Sequence, residues 1–205
     1  MSARPPIGIL ALQGDVREHA AALTAAGAEP RPVRRPAELT GLAGLIIPGG
    51  ESTTIDKLSR IFGLREPLIE ALRSGLPVLG SCAGMIMLAE RLVDAPPDQQ
   101  TFGGIDIAVR RNAYGRQVDS FELALALPWL EGGAFPAVFI RAPWVESCGA
   151  GVEVLATAPG PHGEPDHVVT VRQDHRLATS FHPEVAGDVR LHGYFTRLAR
   201  QAAGA

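Results

Sequence analysis

The residues best suited to covalent chemistry lie in Gly80-Ser81-Cys82-Ala83-Gly84. A thiol stands between small residues, directly after the apolar run Pro77-Val-Leu-Gly80 and directly before a stretch patterned as a helix. This is the pattern of a nucleophile elbow, G-x-Nuc-x-G, with Cys in place of Ser. Glycines suit a tight strand-to-helix turn because the backbone packs closely where a Cβ would obstruct. Unpaired N–H groups and the macrodipole at a helix N-terminus favour a thiolate. The Ala83 N–H points where an oxyanion would form. A free Cys is otherwise a small buried hydrophobe, and Cys148, which lacks such a setting, reads as buried or inert.

A thiol nucleophile needs a base, and the base needs an orienting group. Of the six histidines, His182 is the best placed: it follows the apolar run Leu177–Phe181 and precedes Pro183-Glu184. That puts it at the C-terminal edge of a strand, where ligands and catalysis gather in open α/β sheets. Glu184 is close enough to swing its carboxylate back to the imidazole. Alone, His-Pro-Glu suits a cap or a surface turn equally well; beside the elbow it completes a Cys–His–Glu triad. His19, on the first helix, reads as structural or as a helix-end residue. His162, His167, His175 and His192 lack metal-ligand spacing with Cys or acidic partners, so no metal site is expected.

Pro48-Gly49-Gly50-Glu51-Ser52 is a second post-strand loop. Adjacent glycines permit a peptide flip that turns an N–H into or out of a site, although an ordinary turn and helix cap fits too. No G-K-[ST] follows it, and Gln13-Gly14-Asp15 lacks the G-x-G-x-x-G fingerprint, so neither a Walker nor a dinucleotide site is expected.

The elements that must position these residues follow from short apolar runs alternating with helical stretches, an α/β layered pattern. Strands are expected at Ile7–Leu12, Gly44–Ile47 and Pro77–Gly80, and later at Ala137–Ile140, Val152–Ala156, His167–Val171 and Leu177–Phe181. Asp15 is placed to N-cap a helix reaching about Ala26 and closed by Gly27. Ser52 or Thr53 is placed to cap a helix with Ile55, Leu58 and Ile61 or Phe62 on its inner face. Further helices are expected from Pro67 through Leu72 and from Ala83 to Leu92. A last amphipathic one carries Leu191, Tyr194, Phe195 and Leu198. Between Pro96 and Glu122 the pattern is irregular, with turn signals at Gly103-Gly104 and Asn112–Gly115.

The 205 residues contain no repeat and no composition break, which implies one domain over 1–205. At 46% hydrophobic, 20% charged and net charge −3, the chain supports a packed core. It carries no electrostatic footprint for nucleic acid or an anionic membrane. No run approaches the roughly 18 apolar residues of a membrane span. The N-terminal apolar run is too short for a signal-peptide core. Two cysteines are too few for a disulfide-stapled secreted domain, so a cytoplasmic protein with reduced thiols is expected.

Together, Pro-Gly-Gly-Glu-Ser, Gly-Ser-Cys82-Ala-Gly and His182-Pro-Glu184 resemble the class I, triad-type glutamine amidotransferases. The similarity is closest to the glutaminase subunits of pyridoxal 5′-phosphate synthase. It extends over Ala11–His19, Ile46–Ile55, Arg111–Gln117 with Asp119–Glu122, and Phe139–Pro143. Pro-Gly-Gly and His-Pro-Glu occur in many amidotransferases, whereas Arg-Asn-Ala-Tyr-Gly-Arg-Gln and Phe-Ile-Arg-Ala-Pro are far more specific. Ser81 stands where Thr is usual, Val185-Ala186 replaces Leu-Thr, and Cys148 is unusual in its segment. None of these departures replaces a residue that the resemblance makes catalytic.

The resemblance implies a three-layer α/β fold with a mixed, mostly parallel central sheet, hydrolysing glutamine to glutamate and ammonia without a cofactor. It implies Cys82 as nucleophile, His182 as general base and acid, and Glu184 as its orienting partner. Gly50 and Ala83 N–H groups would form the oxyanion hole. Gly50, Glu51, Ser52, Arg111, Ile140 and Arg141 would contact L-glutamine. The implied partner is a (β/α)₈-barrel synthase subunit, in a dodecameric core carrying up to twelve glutaminase subunits. The region Gln13–His19 would face it, and docking would turn the Gly49-Gly50 peptide inward. Other readings are a glutaminase feeding a different acceptor enzyme, a Cys-elbow peptidase or stress protein on a similar fold, and a non-catalytic assembly subunit.

Overall fold

A computed structural model describes residues 4–114, 120–161 and 164–204. Gly115, Arg116, Gln117, Asp119 and His162, singled out above, lie outside the described residues.

The order of elements is β1 (Pro6–Leu10), α1 (Val16–Ala25), β2 (Glu29–Val33), a 3₁₀ turn (Pro36–Leu39), β3 (Gly44–Ile47), α2 (Ser52–Ile61), α3 (Arg65–Arg73), β4 (Val78–Ser81) and α4 (Ala83–Leu88). There follow β5 (Ala89–Val93), β6 (Ile105–Arg110), β7 (Phe121–Leu125), β8 (Phe135–Phe139), β9 (Trp144–Cys148), β10 (Glu153–Ala158), β11 (His167–Gln173), β12 (Arg176–Thr179) and α5 (Arg190–Ala203). The main sheet runs β2-β1-β3-β4-β12-β11-β9-β6-β5, with β10 on β11, and β7 and β8 form a separate hairpin. From β2 to β12 the pairings are all parallel. From β12 to β6 they are antiparallel, and β5 returns to parallel against β6.

Strand alternation divides the core between the two faces. In β3, Ile46 packs with Ile7, Ile9, Leu79, Leu191 and Phe195 on the side of α1 and α5. Its neighbours Leu45 and Ile47 pack with Ile55, Leu68, Leu72 and the buried helix α4 on the other. Strands buried on both faces read as continuous apolar runs, which is why β1, β3 and β4 stand out in the sequence.

Several expectations are corrected. The helix expected to reach Leu92 stops at Leu88, and Ala89–Val93 is strand β5. A continuous apolar run does not by itself separate buried helix from strand. Ile61 and Phe62 are exposed (73% and 52%) instead of inward; the inner face of α2 is Ser52, Ile55, Asp56 and Ser59. Glu51, not Ser52 or Thr53, occupies the N-cap position of α2. Strands β2, β6, β7 and β9 were not expected. In β2 the sequence Glu29-Pro-Arg-Pro-Val33 hides a strand that its edge position tolerates. Cys148 is exposed at the end of β9.

Candidate functional site: a thiol, an imidazole and two carboxylates in one cleft

Strand β4 runs fully buried into Cys82, whose backbone is forced to φ 48°, ψ −101°. Such a conformation costs a non-glycine residue roughly 1–3 kcal/mol and persists only where the surroundings impose it. The Cys82 N–H donates to the Thr179 carbonyl at 2.8 Å, tying the turn to β12. The flanking glycines are sterically required. A Cβ on Gly80 would lie 2.6 Å from the Gly84 backbone, and one on Gly84 would lie 2.1 Å from the Ile47 carbonyl oxygen. Ala83 opens α4, so its N–H belongs to the helix N-terminal donors that have no intrahelical acceptor.

His182 leaves the sheet just after β12, and its N–H donates to the Val138 carbonyl at 2.9 Å. Its Nδ1 lies 2.8 Å from Glu184 Oε1 and 3.2 Å from Asp15 Oδ2. Burial alone would disfavour the imidazolium. Hydrogen bonding to Asp15, Cys82 and Glu184 outweighs it and raises His182 to about 12. Burial raises Glu184, against the pull of His182. Asp15 is lowered, chiefly by its hydrogen bond to His182.

Asp15 is the site residue that sequence reasoning missed. It does sit at the N-cap of α1, but its side chain makes no capping hydrogen bond and turns to His182 instead. Ligand atoms of Asp15, His182 and Glu184 lie within 4.8 Å of one another. The cluster is accounted for by one ring N–H held between two carboxylates.

A cleft of about 210 Å³ opens over Cys82 and His182, with Ile86 as an apolar floor residue. One wall is Gly50, Glu51 and Ser52. A Cβ on Gly49 would lie 2.3 Å from His182 Cε1, and one on Gly50 would meet Gln13 Oε1 at the same distance. Only glycines let this loop sit so close. Gln13 Oε1 accepts from the Glu51 N–H at 2.6 Å and fixes it.

The opposite wall is Arg111, Asn112, Ile140 and Arg141. Arg111 is nearly buried, donates to Glu51 Oε1 at 2.9 Å across the cleft, and keeps a buried Nε without a partner among the described residues. Asn112 and Arg141 both have positive φ (48° and 46°). Their two loops are clamped where the Ala113 and Tyr114 N–H groups share the Ala142 carbonyl, at 3.0 and 3.2 Å. The Ile140 carbonyl is 3.9 Å from Cys82 Sγ. All the site residues expected from sequence therefore converge, with Glu184 behind His182 and Ala83 beneath Cys82.

Residues 9–201 match the model of the SNO glutamine amidotransferase family. The chain belongs to that family. It is 60% identical over 199 residues to the pyridoxal 5′-phosphate synthase subunit PdxT of Salinispora arenicola, covering 97% of this chain and 98% of that one. It is 59% identical over 203 residues to the protein of the same name from Kineococcus radiotolerans, covering 98% and 97%. A crystal structure described as a glutamine amidotransferase superposes with a TM-score of 0.86 at 48% identity, over 95% of this chain and 98% of that one. A glutamine amidotransferase of Thermotoga maritima, 12% identical, shares the fold with a TM-score of 0.60, over 100% of this chain and 95% of that one. The layered α/β architecture expected from sequence is thus that of glutamine amidotransferases. No helix among the described residues is long and apolar enough to cross a membrane.

Proposed function

We propose that this protein is the glutaminase subunit of a pyridoxal 5′-phosphate synthase, hydrolysing L-glutamine to L-glutamate and ammonia. The observation that carries the chemistry is the strained Cys82 turn sharing one cleft with His182, whose Nδ1 lies 2.8 Å from Glu184. Cys82 attacks the side-chain amide carbon, and its oxyanion is held by the Gly50 and Ala83 N–H groups. His182 protonates the departing ammonia, leaving a γ-glutamyl thioester. It then takes a proton from water, which attacks the thioester and releases glutamate. Glu184 orients the ring throughout. Side chains and water suffice for these steps.

The α-carboxylate of glutamine meets Arg111, whose nearly buried guanidinium has an unused N–H and suits a planar anion, with the exposed Arg141 beside it on the cleft wall. Glu51 serves the α-ammonium, while Ser52 and Ile140 complete the pocket. Binding therefore rearranges the Arg111–Glu51 pair that bridges the cleft.

The names of the relatives support a synthase partner. In our reading this is a (β/α)₈-barrel protein whose dodecameric core carries up to twelve glutaminase subunits, in the cytoplasm. The free thiols of Cys82 and Cys148 suit a reducing compartment. Docking near Gln13–His19 acts on the Gly49-Gly50 peptide through Gln13, whose side chain holds the loop. The test is glutamate formation by the isolated protein and by its mixture with the cognate synthase, with Cys82→Ala as control. Stimulation that the substitution abolishes supports the proposal. Activity that is independent of Cys82, or unchanged by the synthase, overturns the mechanism or the gating respectively.

A further inference from the structure

Behind the cleft lies a buried polar cluster that the mechanism does not use. His19 of α1 is fully buried. Its Nε2 is 3.1 Å from Ser81 Oγ and 3.4 Å from Glu184 Oε2, and its Nδ1 is 2.9 Å from Nε2 of the equally buried His192 on α5. Ser81 immediately precedes the nucleophile, and Glu184 holds His182. One imidazole therefore touches the supports of both reacting groups, from a helix that belongs to neither.

The hydrogen-bond arrangement is decidable. Burial holds both rings neutral: His19 is pushed well below its ordinary value, with the nearby His192 and His182 adding to the effect, and His192 falls to about 4. Each ring then carries one N–H. If His19 donated from Nδ1 to His192, its bare Nε2 would face the Glu184 carboxylate, lone pair against lone pair. His192 would also have to carry its proton on Nδ1, a buried atom without a partner among the described residues. The opposite choice places a donor against Glu184 and Ser81 and leaves only a bare acceptor unpaired. Orphaned buried N–H groups are the rarer and costlier state. The His19 Nε2–H therefore donates to Ser81 Oγ at 3.1 Å, and its positive end stands 3.4 Å from Glu184 Oε2, which has no hydrogen-bond partner among the described residues.

We propose that His19 is a positioning residue of the glutaminase site: its Nε2–H, set in that tautomer by a hydrogen bond from His192, holds Ser81 by a hydrogen bond and Glu184 by electrostatic attraction, and through them aligns His182 with Cys82. This rests on the glutaminase reading above. It explains why the body of α1, and not only Asp15 at its N-cap, is tied to the triad, and it connects the position of α1 to the alignment of both reacting groups.

Two measurements test it on the full-length protein. Ring ¹⁵N–¹H correlation spectra of the parent should show His19 and His192 both protonated on Nε2 near neutral pH; an Nδ1-protonated His19 overturns the proposal without any variant. His19→Leu and His19→Gln are then compared with the parent in the synthase complex. Leu should lower kcat roughly 100-fold, the scale of an ångström-level misalignment, with KM for glutamine within about 2-fold. It should also broaden or shift the His182 Nδ1–H resonance. Gln, whose amide N–H reaches the Nε2 position, should restore kcat to within about 10-fold of the parent. A folded Leu variant with parental kcat and an unmoved His182 signal overturns the proposal. If instead the parent itself lacks Cys82-dependent glutaminase activity while the tautomers are as stated, the functional reading fails and the hydrogen-bond cluster stands alone.

Discussion

The parallel half of the sheet, β2-β1-β3-β4-β12, and the antiparallel half, β12-β11-β9-β6, contribute to the cleft in different ways. The parallel half ends in turns whose constrained backbones hold the thiol and the imidazole in place. Cys82 follows β4 in a left-handed conformation, the Gly49-Gly50 loop follows β3, and His182 follows β12. The antiparallel half and the β7–β8 hairpin end in loops that line the facing wall: Arg111 follows β6, and Ile140 and Arg141 follow β8. In the proposed mechanism, covalent chemistry thus sits where neighbouring parallel strands hold their C-terminal ends in register. Recognition sits on loops that can differ in reach without disturbing the elbow.

This division makes substitutions on the two sides separable. The largest effect is expected for Cys82→Ala, which should reduce glutamate formation by at least ~10⁴-fold, because no other group in the cleft replaces the nucleophile. Steady-state assays in the synthase complex check it. Next is Gly84→Ala, whose Cβ would sit 2.1 Å from the Ile47 carbonyl oxygen. Backbone cannot yield as a flexible side chain does, so denaturant unfolding should register a loss of about 3 kcal/mol or more. Both kcat and stability should fall together.

On the other wall, Arg111→Leu should act on binding. With Arg111 in its proposed role as donor to the substrate carboxylate, its removal should raise KM roughly 10- to 100-fold with a smaller change in kcat. A kcat collapse at unchanged KM would erase the contrast between the two halves.

The pH dependence of stability probes the buried cluster behind the parallel half. His192 has its pKa lowered by burial to about 4, so between there and its unfolded value near 6.5 the unfolded chain binds the extra proton. Stability contributed by the neutral ring is therefore present above about 6.5 and lost as pH falls towards 4, by roughly 3 kcal/mol. His19 acts in the same direction. His182 has the opposite sign: its raised pKa contributes stability that is fully present below about 6.5 and lost only as pH rises towards 12. Denaturation of the parent and His192→Phe at pH 7 and 4.5 should show the acid-dependent loss shrinking in the variant. The smallest effect belongs to Cys148→Ser, an exposed thiol outside the cleft, which should leave glutaminase rates within assay error.

The same contrast governs what the sequence disclosed. Buried parallel strands such as Leu45-Ile-Ile47 and the Gly-Ser-Cys-Ala-Gly elbow are local signals, carried by consecutive residues whose steric needs are specific. Strands β6 and β9 are hidden because their burial does not alternate cleanly, and their pairing shifts register between Ala108 and Val109. The end of α4 is hidden because an apolar run fits helix and strand alike. Asp15 reads as a cap from its place before a helix. Only the fold brings it within 3.2 Å of His182, 167 residues away in sequence (182 − 15). His19 and His192 are 173 residues apart, so no local pattern pairs them.

In the proposed mechanism, Cys82 carries the acyl group of glutamine, with His182 and Glu184 as its proton apparatus. The most direct test is rapid acid quench of the synthase complex turning over glutamine, followed by peptide mass spectrometry. The expected result is a γ-glutamyl adduct on the Cys82 peptide, none on the Cys148 peptide, and no adduct at all in Cys82→Ala. Glutamate released at the parental rate by Cys82→Ala, or an adduct on any other residue, would contradict it.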